Sequence, residues 1–318
     1  MSTTFTPMLG RLIHPVEQFD AGGLQSLLDS DEDDDHTARN ANLQQVADYI
    51  STWSKGNAVI VMGDTNTRYT RTADTALRTA LVTQSGLTDA WVQLARNGNA
   101  PAAGSDALVC DNPAQNTSCE IVDKLLYRGS RIVNLEASAF TYDSNNFLNT
   151  NPDHLGAILS DHNPIRTNFT WSLSAFFRQS QFSGGPHGDW FSSLSSLPSA
   201  PVASVITFRG EERLDSVGLE LSDTTNFTYG GTGGTTASLT LASGEHWTKT
   251  ELCTGQKDGW TRNFYIQATT DKGNTLQSGT RTSDCQTFTA DAGFAVVGFM
   301  GRDGDEIDQL ALIYAPIR

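Results

Sequence analysis

The chain has no apolar run near the ~20 residues that a membrane-spanning helix requires, so no helical membrane span is expected. Basic residues are also scarce: 21 Lys and Arg face 36 Asp and Glu, for a formal net charge of −15. Phosphate backbones are held by Lys and Arg, so this balance speaks against a general nucleic-acid coat protein. It leaves catalysis on a phosphodiester open, because a bound divalent cation inverts the local field. Nucleic acid is a possible substrate that net charge does not favour. Cysteine is sparse, with four residues in two sequence-local pairs, Cys110/Cys119 and Cys253/Cys285. Such pairs suit two separately closed units in an oxidising compartment, and four buried thiols are the alternative. Three N-x-[ST] triplets, starting at Asn116, Asn168 and Asn226, agree with a secreted glycoprotein. Met1 to Pro15 lacks a charged segment followed by an apolar one, so no signal peptide is read there. The expectation is an extracellular protein whose signal is not in this sequence.

The 318 residues are enough for two domains, each with its own core. Residues 1–36 show no periodicity and end in the acidic run Asp29 to Asp35, read as solvated loop. Leu43, Val46, Ile50 and Trp53 then mark one face of a helix that Lys55-Gly56 stops. Ala58 to Met62 is an uninterrupted apolar run, expected as a strand buried on both faces. Residues 73–98 read as mainly helical and 99–119 as a loop that Cys110–Cys119 could close. Ile121–Tyr127 and Arg131–Glu136 read as paired strands, Tyr142–Leu159 as polar loop, and Pro164–Leu173 as a further strand. Beyond about residue 173 helical periodicity disappears, and short alternating stretches are separated by Gly-rich turns, with the boundary near 175. The division is therefore an irregular segment 1–36, an α/β unit 37–175 and an all-β unit 176–318, giving an α+β fold class overall.

Three motifs in the α/β unit carry chemistry. Gly63-Asp64-Thr65-Asn66 follows a buried strand, where Asp64 and Asn66 alternate onto one side; a simple turn is the competing explanation. Asp123 is an acid inside an otherwise apolar strand, placed either on a solvent face or where it orients an imidazole. Ser160-Asp161-His162 sets a carboxylate beside a proton carrier ahead of a strand. In this order and spacing the three resemble the endonuclease/exonuclease/phosphatase superfamily, a four-layer α/β/β/α sandwich, over roughly residues 37–172.

That resemblance implies a hydrolase in which Asp64 prepares the attacking water and Asn66 binds the scissile phosphate. Asp161 would be a metal ligand, and His162, oriented by Asp123, would contact the phosphate and assist proton transfer. The hard oxygen ligands imply Mg²⁺ or Mn²⁺. The superfamily's Gln-Glu strand, with its metal-binding Glu, has no match before residue 37. Glu17 to Gly22 is nearest to its Thr-His-Leu strand, with Gln18 at the His position and His14 an unlikely substitute. The sandwich is thus expected to be partial, its activity impaired and one core face exposed.

Residues 176–318 resemble a jacalin-type lectin, a β-prism. The resemblance rests on Gly184-Gly185-Pro186-His187-Gly188-Asp189-Trp190-Phe191, Ile206 to Gly210, Tyr229 to Gly234, and Val297 to Asp308. It implies a glycan partner. Asp308 in the loop Gly304 to Asp308 would accept from two sugar hydroxyls, backbone N–H groups of Asp305 and Glu306 would donate, and Gly188 would close the pocket. A plain hairpin turn at Gly304–Asp308 is the alternative. Two functions follow: a phosphoesterase tethered to a carbohydrate-binding module, or a lectin with a vestigial, inactive phosphoesterase domain.

Overall fold

A computed structural model describes residues 32–318. The stretch Glu17–Gly22 and His14 lie outside the described residues, as does the start of the acidic run, Asp29 to Asp31. Helix α1 (Glu32–Trp53) starts within that run, so Glu32 to Asp35 are helical and not loop; acids suit the positive helix N-terminus. There follow β1 (Val59–Asp64), a π-helical segment (Leu77–Gln84), β2 (Thr88–Asp89), α2 (Ala90–Ala95), β3 (Asp123–Arg128), β4 (Val133–Tyr142) and β5 (Ile165–Leu173). No described helix is long and apolar enough to cross a membrane.

β1, β3 and β2 form one antiparallel sheet with β3 in the centre, and β4 pairs with β5 in a separate ribbon. The expected hairpin between the strands flanking Arg128-Gly129-Ser130 is therefore wrong, because the chain changes sheets at that turn. β3 is the strand buried on both faces. Its Leu126 packs with Leu43, Ile50 and Leu77 on the helical side, while Leu125 and Tyr127 pack with Ala137 on the ribbon side. This gives helices, sheet and ribbon as three successive layers, where the resemblance had implied four.

The expectation that Ala58–Met62 is buried on both faces also fails. Val59 and Val61 point towards the helices, but Ile60 is 46% exposed and Met62 75%. β1 lies at the sheet edge, and an apolar run alone does not show which strand is central. Cys110 and Cys119 form a disulfide that closes the loop before β3.

After β5 the elements are all strands apart from one 3₁₀ turn: β6 (Arg178–Gln179), β7 (Ser183–Gly184), β8 (Asp189–Ser192), β9 (Ala203–Gly210), β10 (Leu214–Leu221), β11 (Asn226–Gly230) and β12 (Thr235–Thr240). They continue as β13 (Trp247–Lys257), β14 (Trp260–Thr270), β15 (Thr275–Gly279), β16 (Asp284–Thr289), β17 (Phe294–Asp303) and β18 (Ile307–Pro316). The strands make three antiparallel sheets, β11-β10-β9-β12, β15-β14-β13-β16, and β6-β18-β17-β8 with β7 beside β18. The three sheets are the faces of a β-prism. Each sends one fully buried aromatic to the centre: Phe208, Trp247 and Phe299, with ring centroids 5.7 and 5.9 Å from Trp247. Cys253 and Cys285 are cross-strand partners on β13 and β16 and form the second disulfide.

Because Trp247 joins all three faces, Trp247→Ala should lower unfolding stability by about 3–5 kcal/mol, the usual cost of emptying an aromatic core site. Denaturant midpoints of the two proteins test this, and a change below about 1 kcal/mol would contradict the packing described.

Candidate functional site

The first cluster is assembled by strand pairing. Asp64 at the end of β1 and Asp123 at the start of β3 are cross-strand partners. His162 arrives from the loop before β5, and its Nδ1 lies 2.8 Å from Asp123 Oδ2. The other ring nitrogen, Nε2, is 3.9 Å from Asp64 Oδ2 and 4.0 Å from Asp161 Oδ2. The hydrogen bond to Asp123 and the negative charge of the three carboxylates raise the His162 pKa, against a smaller desolvation effect. Asn66 has a left-handed backbone (φ +49°), and its N–H donates to Asp64 Oδ1 at 2.7 Å. All five residues proposed from sequence thus gather at one end of the sheet.

Sequence reasoning missed the residues that hold this cluster. Asn163 is buried: its Oδ1 accepts from Ala114 N–H at 2.9 Å and its Nδ2 donates to Asp111 O at 3.0 Å. Asn112 Nδ2 donates to Ser160 O at 2.7 Å. Together they tie the disulfide-closed loop to the segment that carries His162. Arg68 lines the same cleft, and its Nε is buried without a hydrogen-bond partner. A cation two residues past Asn66 was the available signal.

Ligand atoms of Asp64, Asp123 and His162 lie within 4.8 Å of one another, a set that could hold a metal ion. Asp123 is engaged with His162, but Asp64 is half-exposed and the Asp161 side chain is 94% exposed, so both offer free carboxylate oxygens. Such donors suit Mg²⁺ or Mn²⁺ with its other positions filled by water and phosphate oxygens. Glu120 is not available, since it is buried, bonded to Lys124 Nζ at 2.8 Å, and accepts the Tyr69 N–H.

The second cluster lies in the β-prism at the β17–β18 turn. The Gly304 N–H donates to Glu306 O at 3.1 Å, and the turn sets Asp308 into β18. Gly188 has φ +79°, and a Cβ there would collide with Asp308 Oδ2 and Asp303 O, so only glycine fits. Glu306 points inward to Arg213 Nε at 2.6 Å and Arg262 Nη1 at 3.2 Å. The Asp308 side chain is 5% exposed; His187 Nε2 lies 2.8 Å from its Oδ1, and Arg262 Nε 3.5 Å. Asp308 Oδ1, His187 Nε2 and Arg262 Nε are thus buried polar atoms held mainly by charge attraction to one another. Burial holds the Asp308 carboxyl above the usual range, against the lowering effect of His187 and Arg262.

Residues 180–313 match the jacalin-like lectin domain. Carbohydrate binding is the property of that domain. Trp260, 57% exposed and 5.0 Å from the His187 ring, adds an aromatic surface beside this cluster that sequence reading overlooked. Among solved structures, Malaysian banana lectin is similar, with 20% identity and a TM-score of 0.40 over 44% of this chain and 99% of that lectin. Over 130 residues in its N-terminal part, the chain is 39% identical to proteins named sphingomyelinase in Mycobacterium bovis and Mycobacterium tuberculosis. The match covers 41% of this chain and 24% of those proteins, so the chain spans about a quarter of the curated relatives' length.

Proposed function

We propose that this chain is an extracellular carbohydrate-binding protein whose lectin domain, residues 176–318, is joined to a metal-assisted phosphodiester hydrolase centre in residues 37–175. The observation that carries the hydrolase half is the Asp123–His162 hydrogen bond beside Asp64, at the mouth of a cleft lined by Arg68. Asp64 would orient the attacking water, His162 would move a proton at Nε2, and Asn66 and Arg68 would hold phosphate oxygens. Mg²⁺ or Mn²⁺ held by Asp161 and Asp64 would supply charge for the phosphoryl oxygens. Likeness to the sphingomyelinases favours a phosphodiester at a lipid headgroup as substrate, and two disulfides suit secretion. The lectin would raise the local concentration of the hydrolase on glycan-bearing surfaces.

The test measures Mg²⁺-dependent release of phosphocholine from sphingomyelin vesicles by the full chain, alongside glycan-array binding. Hydrolysis together with binding is expected. Binding without metal-dependent hydrolysis would leave a lectin with a vestigial domain, and hydrolysis without binding would remove the tethering role.

Sugar binding is also expected to depend on pH through Asp308. Its charged form is the hydroxyl acceptor, and burial raises its pKa, so binding should be complete on the alkaline side and fall as pH drops. The midpoint should lie above the ordinary aspartate value of about 3.9. A titration of binding against pH that stays flat down to that value would contradict this role for Asp308.

A further inference from the structure

The loop that supplies Gly188 is not supported by the lectin domain alone. The Arg302 Nη1 donates to Gly188 O at 3.1 Å, and the Arg302 guanidinium lies over the Trp53 ring, 5.2 Å from its centroid. Trp53 is the last residue of α1, outside the prism, and packs against the prism core. Two residues on, Lys55 O accepts from the indole N–H of Trp190 at 3.0 Å. Trp190 pairs with Arg302 across β8 and β17, so one anchor holds β8, the strand that follows Gly188, and the other holds its partner strand β17. Gly56, at φ +82°, permits this close approach, since a Cβ there would press on Ser192 and Leu194.

We propose that the end of α1 is a brace for the sugar pocket, with Trp53 and Arg302 as positioning residues that hold Gly188 against Asp308. This rests on the reading of the Gly188–Asp308 pocket as the sugar site. A guanidinium desolvated against an aromatic face gains attraction, and a loop held in its bound form loses less entropy on binding. The hydrolase-type region would then set sugar affinity without touching sugar.

The test titrates the full chain with methyl α-D-mannopyranoside and methyl α-D-galactopyranoside by calorimetry, with thermal unfolding in parallel. Trp53→Ala should weaken the dissociation constant by roughly three- to thirtyfold, the range that loss of one such contact gives. Trp53→Phe, which keeps an aromatic face for Arg302, should restore most of it. Arg302→Gln should weaken binding similarly and serves if Trp53→Ala fails to fold. Parent-like affinity in Arg302→Gln, or no rescue by Trp53→Phe, would overturn the brace. If Asp308→Ala also binds like the parent, or the parent binds neither sugar, the sugar-site reading falls and the brace with it.

Discussion

Hydrolysis of bis(p-nitrophenyl) phosphate by the His162→Ala chain should fall by about 10²–10⁴ relative to the parent, the usual effect of losing a proton-transfer group. Two features make His162 the sensitive position. Its Nδ1 is fixed by Asp123 at 2.8 Å, which leaves Nε2 directed towards Asp64 and Asp161. The segment that carries it is also held on both sides, by Asn112 on Ser160 O and by Asn163 on Asp111 O. Asp123→Asn preserves the shape but removes the charge that orients the ring, so a smaller loss is expected there. Both assays are run with Mg²⁺ or Mn²⁺, and chelation should abolish the parent rate. A parent-like rate in His162→Ala would remove the proposed centre. No metal-dependent rate in the parent would leave the lectin as the working half.

Asp308→Ala should weaken sugar binding by about 10²-fold or more, since hydrogen bonds to a charged group contribute ~1.5–3 kcal/mol each and two are lost. The pocket makes this effect specific. Asp308 is nearly enclosed, Gly188 leaves no room for a side chain beside Oδ2, and His187 and Arg262 hold Oδ1 mainly by charge attraction. Asp308→Asn keeps the volume and tests charge alone; it should bind nearly as poorly. Parent-like calorimetry for Asp308→Ala, with unchanged thermal unfolding, would show that sugar binds elsewhere.

Much of this was legible because it is local. Gly-rich turns between alternating stretches mark the strands of a prism, and Cys spacing within each half anticipated both disulfides. The Gly-Asp-x-Asn, strand Asp and Ser-Asp-His motifs brought Asp64, Asn66, Asp123, Asp161 and His162 forward as one site. The supports of that site were not legible. Asn163 resembles any Asn before a Pro until Ala114 and Asp111 are seen on it. Arg68, Trp260 and Arg262 act through neighbours distant in sequence.

The sequence by itself determined the strand-rich second half, the chemistry-bearing residue types and the glycine that admits Asp308. Their patterns are set by backbone conformation and side-chain chemistry within a few residues. Tertiary structure decided the rest. It placed β3 in the centre with β1 at the edge, separated β4 from the sheet before it, and turned Glu306 inward to Arg213 and Arg262. It also set the end of α1 against the loop of Gly188. Apolar periodicity marks a buried face without naming the surface that covers it, and only long-range packing makes that choice.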